Sequence, residues 1–91
     1  MYIYIDVMDR EISEPKTFNN KLDAQKAMRK DFIKAIGDDT VTELKNQSIN
    51  VTDINVTIED NYDFGINENT AWVNDAFGGN HADWDGKIFE I

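Results

Sequence analysis

The sequence predicts an α+β domain: a mostly antiparallel four-stranded sheet with one main helix packed on one face, in the order β-α-α-β-β-β. Three observations lead there. Residues 2–8 alternate with period two, as a strand does. Residues 20–36 repeat apolar side chains at three- and four-residue spacing, as a helix does. Three further strand-like segments then follow one another with turn residues between them, which suits an antiparallel sheet with its helix on one side. At 91 residues the chain makes a single domain, 1–91.

In the first strand Ile3, Ile5 and Val7 share one face and are expected inward, with Tyr2, Tyr4, Asp6 and Met8 outward. Residues 9–19 hold the one proline, Pro15, and read as a connection. In the helix, Asn20 is placed to cap and Asp23 to meet the dipole in the first turn. Ala24, Ala27, Met28, Phe32, Ala35 and Ile36 form its apolar face, and Gly37 stops it. Lys26, Arg29, Lys30 and Lys34 are expected on a solvated face, with Asp23 and Asp31 among them. Thr40-Val-Thr-Glu43 has the capping-box pattern and predicts a second, shorter helix with Val41 and Leu44 on one side.

Residues 48–59 read as a strand with a break in parity. Ile49 and Val51 alternate on one phase, and Ile54, Val56 and Ile58 on the other. A one-residue slip reverses every side chain, so either a bulge lies near Thr52-Asp53 or the strand begins at Asp53. Residues 59–63 form an acidic turn or strand end. Residues 65–69 form another turn, and 70–73 a short strand centred on Trp72, expected in the core. Residues 74–83 are a loop by their glycines and asparagines. Residues 84–91 are the last strand, pairing with its predecessor as a hairpin across Gly78-Gly79.

Charge is divided unevenly. Residues 1–45 carry nine carboxylates and eight Lys/Arg; residues 46–91 carry nine carboxylates and one base, Lys87. Nearly all of the net −9 therefore belongs to the second half. Such a field repels nucleic acid and membrane phosphates and attracts basic surfaces. Residues i and i+2 of a strand point the same way about 6.5–7 Å apart. Asp83 and Asp85 have that spacing, which is comparable with the spacing of phosphates along a nucleic-acid strand. Glu59, Asp60 and Asp63 cluster in sequence, and Asp75 lies in the loop between. Tyr62 and Phe77 stand among these charges, where aromatic residues often anchor an interface. The expected partner-binding set is Glu59, Asp60, Tyr62, Asp63, Asp75, Phe77, Asp83 and Asp85, against the plainer reading of a solvated acidic surface.

Other chemistry is poorly served. The chain has no cysteine, so it makes no disulfide and no thiolate. His81 is the one histidine and reads as an exposed loop residue. No Ser or Thr stands in a nucleophile motif, so no catalytic residue is assigned and an enzyme is not expected. No cofactor is implied. The EF-hand pattern fails at every glycine, which leaves an irregular calcium site at Asp75, Asn80, Asp83 and Asp85 as the one metal alternative. The short N-terminal apolar run is broken by Asp6 and lacks a basic lead, so it is expected to be a strand and not a signal peptide. No segment has the length of a membrane span. Triplets opening at Asn46, Asn50 and Asn55 match the glycosylation sequon, and are read as chance in a chain with ten Asn and no export signal.

The string Ala71-Trp-Val-Asn-Asp75, then Asn80, Trp84 and Lys87-Ile-Phe-Glu-Ile91, resembles the ending of small acidic proteins of phages, plasmids and integrative elements of low-GC Gram-positive bacteria. A looser echo runs through the N-terminal strand and residues 23–32. The resemblance spans about twenty residues and assigns no catalytic residue. It implies a mobile-element setting, in which small acidic proteins often inhibit host defence, including anti-CRISPR and anti-restriction proteins that mimic DNA. The expected partner is then a basic nucleic-acid-binding protein of the host cytoplasm, with no direct nucleic-acid or membrane contact. A self-associating accessory protein, a homodimer for instance, is the alternative.

Overall fold

In the computed structural model residues 1–79 and 82–91 are described. The fold is α+β with an antiparallel six-stranded sheet. In chain order the elements are β1 (Tyr2–Met8), β2 (Glu11–Ile12), β3 (Lys16–Phe18), α1 (Lys21–Ile36), α2 (Asp38–Asn46), β4 (Phe64–Ile66), β5 (Thr70–Asp75), the short turn α3 (Ala76–Gly79) and β6 (Ala82–Glu90). The sheet order is β2-β1-β6-β5-β4, and β3 pairs with the start of β1 on the same side as β2. The middle strand, β6, is thus the C-terminal one. It pairs with β1 from Tyr2↔Glu90 to Met8↔Trp84 and with β5 from Thr70↔Lys87 to Val73↔Trp84. No helix of the described residues is long and apolar enough to cross a membrane.

The sheet has two more strands than the sequence predicts, and the differences have local causes. Residues 9–19 are two short strands: Asp9 and Arg10 both adopt positive φ (48° and 71°), the geometry of a tight hairpin turn, and fold β2 back on β1. Phe64–Ile66 pairs with β5, although Gly65 and Ile66 were expected to open a turn over residues 65–69. Conversely, residues 48–59 form no strand; only Ile58 makes a bridge, to Ile66. Asn50 Oδ1 accepts from the Thr52 amide and hydroxyl, and Asp53 Oδ1 accepts from the Asn55 amide. Such side-chain turns compete with a ladder. The carbonyls are claimed as well: Arg29 donates to the Val51, Ile54 and Val56 oxygens at 2.7, 3.4 and 2.6 Å. The parity break in the sequence marks this irregular segment and not a bulged strand.

Helix α1 follows its expectation closely. Asn20 Oδ1 caps the Asp23 amide at 2.9 Å, and Gly37 (φ 86°) ends the helix with its N–H on the Ile33 carbonyl. Ala24, Met28, Phe32 and Ala35 are buried, but so is Arg29, which was expected in solvent. Helix α2 begins at Asp38, ahead of the Thr40 capping box, and has no side-chain cap.

The core lies between α1 and one face of the sheet, and that face is the opposite of the one predicted for β1. Tyr4 is 1% exposed and faces α1, whereas Ile3, Ile5 and Val7 lie half-buried on the far side. The Tyr4 hydroxyl explains the choice: it donates to Asp31 Oδ2 on α1 at 2.7 Å. Trp84 and Ile88 of β6, Ala71 and Val73 of β5 and Ile66 of β4 complete this layer. Phe32 meets Trp84 and Phe64 with ring centroids 6.4 and 6.2 Å apart. Trp72, expected in the core, is half-buried on the far side instead, lying across its partner Gly65.

Candidate acidic partner-binding surface

The turn end of β5 and β6 draws carboxylates together from distant segments. Asp75 closes β5 with φ 54°, and its amide lies 3.5 Å from Asp83 Oδ1. The Asp83 carbonyl accepts from the Asp9 amide at 2.9 Å, which fixes the β1–β2 turn beside it. The Asp63 carbonyl accepts from the Asn74 amide at 2.8 Å, extending the β4–β5 ladder to the same end. Asp9, Asp63, Asp75 and Asp83 therefore stand at one end of the sheet because two backbone hydrogen bonds and the contact of the Asp75 amide with the Asp83 side chain place them there.

Next to this end lies a cleft of about 720 Å³ between α1 and β1. Asp6, Asp9, Glu11 and Asp31 line it together with Lys34, and Trp84, Met8, Ile12 and Phe77 supply apolar wall. Two of the acids are already engaged. Asp6 accepts from the Trp84 indole N–H at 3.0 Å and from the Ser13 hydroxyl; Asp31 accepts from Tyr4. Burial and the Asp31 hydrogen bond push the Tyr4 hydroxyl upward in pKa, so it remains a donor at physiological pH.

Of the eight residues expected at the site, the structure brings several together and not others. Asp63, Asp75 and Asp83 share the sheet end. Asp85 follows on the same side of β6 as Asp83, on the face away from α1. Phe77 lies in the turn at φ 56°, 37% exposed, at the mouth of the cleft. Tyr62 is 94% exposed on the loop before β4, with its carbonyl held by Asn74 Nδ2. Glu59 is apart: it lines a separate cleft with Glu68, Asn67 and Asn69 near the opposite end of β5. Asp60 is exposed on the connecting loop. The acidic residues thus do not all gather in one patch. The sheet end also contains Asp9, and its cleft Asp6, Glu11 and Asp31, from the half of the chain whose charges balance in sequence. The signal for Asp6 was present as the one charge interrupting the first strand.

One ion pair forms among the described residues, Lys21–Glu68 at 3.5 Å, beside the β4–β5 turn at the far end. Among the described residues no three His, Asp or Glu side chains come together as a metal would need. Asn80, part of the calcium alternative, and His81 fall outside the described residues.

Desolvation by the neighbouring strands, and secondarily the charge of Asp83, hold the Asp85 carboxyl above its ordinary pKa. The native chain therefore binds this proton more tightly than the unfolded chain. Its contribution to stability grows as pH falls through the raised native value, and at neutral pH the ionised group is mildly unfavourable. Solvent screens the effect, because the side chain is exposed. A carboxyl-detected NMR titration of the dilute chain should find Asp85 titrating above the usual aspartate range. In Asp83→Asn the midpoint should move back towards that range; an unchanged midpoint would leave burial as the whole cause.

No family model, no curated protein and no solved structure matches this chain.

Proposed function

We propose that the chain is a non-enzymatic acidic binding protein that occupies the nucleic-acid-binding surface of a basic protein. Asp63, Asp75 and Asp83, extended by Asp9, take the places of phosphates opposite lysines and arginines. Tyr62 and Phe77 supply apolar contact beside them. The carrying observation is that carboxylates from three separate segments converge on one end of the sheet. The convergence raises local potential, which speeds encounter with a basic surface and discriminates against an acidic one. The C-terminal resemblance suggests the setting: an inhibitor carried by a phage or mobile element, of anti-CRISPR or anti-restriction type, acting in the host cytoplasm.

The test begins with affinity capture from a low-GC Gram-positive lysate and identification of the retained basic protein. Its binding to DNA or RNA is then measured with and without the chain. The reading expects competition, and an affinity between the two proteins that falls at least tenfold between about 50 and 200 mM salt, as exchanges of counterions do. The triple variant Asp63→Asn, Asp75→Asn, Asp83→Asn should weaken that affinity at least tenfold. Capture with a salt-independent affinity, or simultaneous binding of nucleic acid and chain, would defeat it.

A further inference from the structure

Among the described residues the helices lie on one side of the sheet. Its other face carries Ile3, Ile5 and Val7 of β1, Thr70 and Trp72 of β5, and Asp85, Lys87 and Phe89 of β6. Among the described residues nothing covers it: the aromatic contacts of α1, the Tyr4–Asp31 bond and the Arg29 hydrogen bonds to residues 51–56 all lie on the opposite side. Phe89 is 43% exposed, and the Lys87 ammonium rests 5.0 Å from its ring centroid. A half-buried apolar sheet face of this kind commonly marks an interaction surface.

Charge on the middle strand indicates what fits there. Asp85 and Lys87 lie two residues apart on the same side of β6, one acid and one base, with Gly86 between them. The cross-strand partners of Asp85 are Val7 and Trp72; those of Lys87 are Ile5 and Thr70. A two-fold axis lying between two facing sheets, running across the strands over Gly86, reverses β6 onto itself. It sets Asp85 of each copy opposite Lys87 of the other. The same operation lays Ile5 against Val7 on β1 and Thr70 against Trp72 on β5. All three strands match themselves under one rotation, as an isologous interface requires. The basic partner of the proposed function is a poorer fit, because this face presents Lys87 at its centre.

We propose that two copies of this chain form a homodimer through these uncovered sheet faces, held by reciprocal Asp85–Lys87 pairs within an apolar surround of Ile5, Val7 and Trp72. The face measures roughly 24 by 20 Å from strand spacing and rise. Two copies then bury on the order of 1,000 Å², near the lower bound for a specific interface, the size range of weak, reversible contacts. Facing sheets pack about 10 Å apart with strands about 30° from alignment, a geometry the natural twist provides. The acidic end containing Asp63 and Asp75 stays outside this contact. The inference therefore goes beyond the proposed function and does not depend on it.

Sedimentation equilibrium on the full chain, from about 1 to 500 µM in 150 mM salt, provides the test. Wild type should associate to a dimer with Kd on the order of 10–100 µM. Lys87→Glu and Asp85→Lys, which set like charges opposite each other, should each weaken it at least tenfold. The double variant Asp85→Lys, Lys87→Glu exchanges the charges and should return Kd to within about threefold of wild type. Circular dichroism of each variant confirms that the fold is kept. A wild type that remains monomeric at 500 µM overturns the proposal. So does a dimer indifferent to the single variants, or one that the double variant fails to restore.

Discussion

Arg29→Met should lower the free energy of unfolding by about 3–5 kcal/mol, from losing two short hydrogen bonds to a charged donor at roughly 1.5–3 kcal/mol each. Arg29 is 6% exposed and its guanidinium holds the carbonyls of Val51, Ile54 and Val56. Bonds to a charged donor are worth more than neutral ones, and a buried carbonyl stripped of its donor costs its full desolvation. Desolvation draws the Arg29 pKa downward and the nearby Asp53 charge opposes that. Among the described residues its Nε finds no hydrogen-bond partner, so the buried cation is itself incompletely compensated. The segment it secures has few other backbone pairings: Asp53 and Val56 amides bond to Asn50 and Asp53 carbonyls, and Ile58 bridges Ile66. Set against about 5–14 kcal/mol for a domain of this size, the loss brings the chain close to its stability threshold. Urea denaturation measures it. Arg29→Lys should fall between the two, because a single ammonium cannot span three carbonyls. Amide exchange in residues 48–58 should accelerate before the sheet does, as a locally held segment opens ahead of the global transition. A loss below about 1 kcal/mol for Arg29→Met would show that the loop is held by its own turns.

This residue also shows where sequence reasoning stops. The helix was legible because its signals are local: Asn20, Asp23 and Gly37 act within a turn of themselves, and α1 spans Lys21–Ile36 between them. Arg29 sits at the edge of its apolar stripe, and nothing local says that a loop twenty residues on will offer it three carbonyls. The strand β1 was legible as a strand but not in its facing. Ile3, Ile5 and Val7 are the more apolar set, yet Tyr4 is the buried residue, because its ring packs beneath α1 and its hydroxyl finds Asp31. The INVT segments at 49–52 and 54–57 look like strands by composition, but their Asn and Asp side chains bond to nearby backbone. For the surface, the alternation of Asp83 and Asp85 was readable, and both fall on one side of β6. The meeting of Asp9 with Asp83 and of Asp63 with Asn74 was not, since it depends on which strands become neighbours. Glu59 follows the same rule in the negative: close to Asp63 in sequence, it belongs to a different cleft.

Trp84→Ala should cost about 3–5 kcal/mol, as expected for emptying the space of a buried indole. Trp84 is 1% exposed and is the largest fully buried side chain among the described residues, between β6 and Phe32 of α1. Its N–H also satisfies the Asp6 carboxylate, whose other partner among the described residues is Ser13. The indole has room because residue 86 is glycine. A Cβ there would stand 3.0 and 3.1 Å from two atoms of the Trp84 ring and 3.2 Å from Tyr4, and both rings are locked in the core. Gly86→Ala alone should therefore destabilise by about 1–3 kcal/mol through overpacking. In the Trp84→Ala background the same methyl meets an emptied space, and its cost should largely disappear. The double-mutant cycle should give a coupling of at least about 1 kcal/mol, far above the few tenths expected of independent sites. Urea unfolding of the four proteins measures every corner of the cycle. Additive effects would mean that Gly86 is required for a reason other than the indole lying over it, and the packing of Trp84 along β6 would lose its explanation.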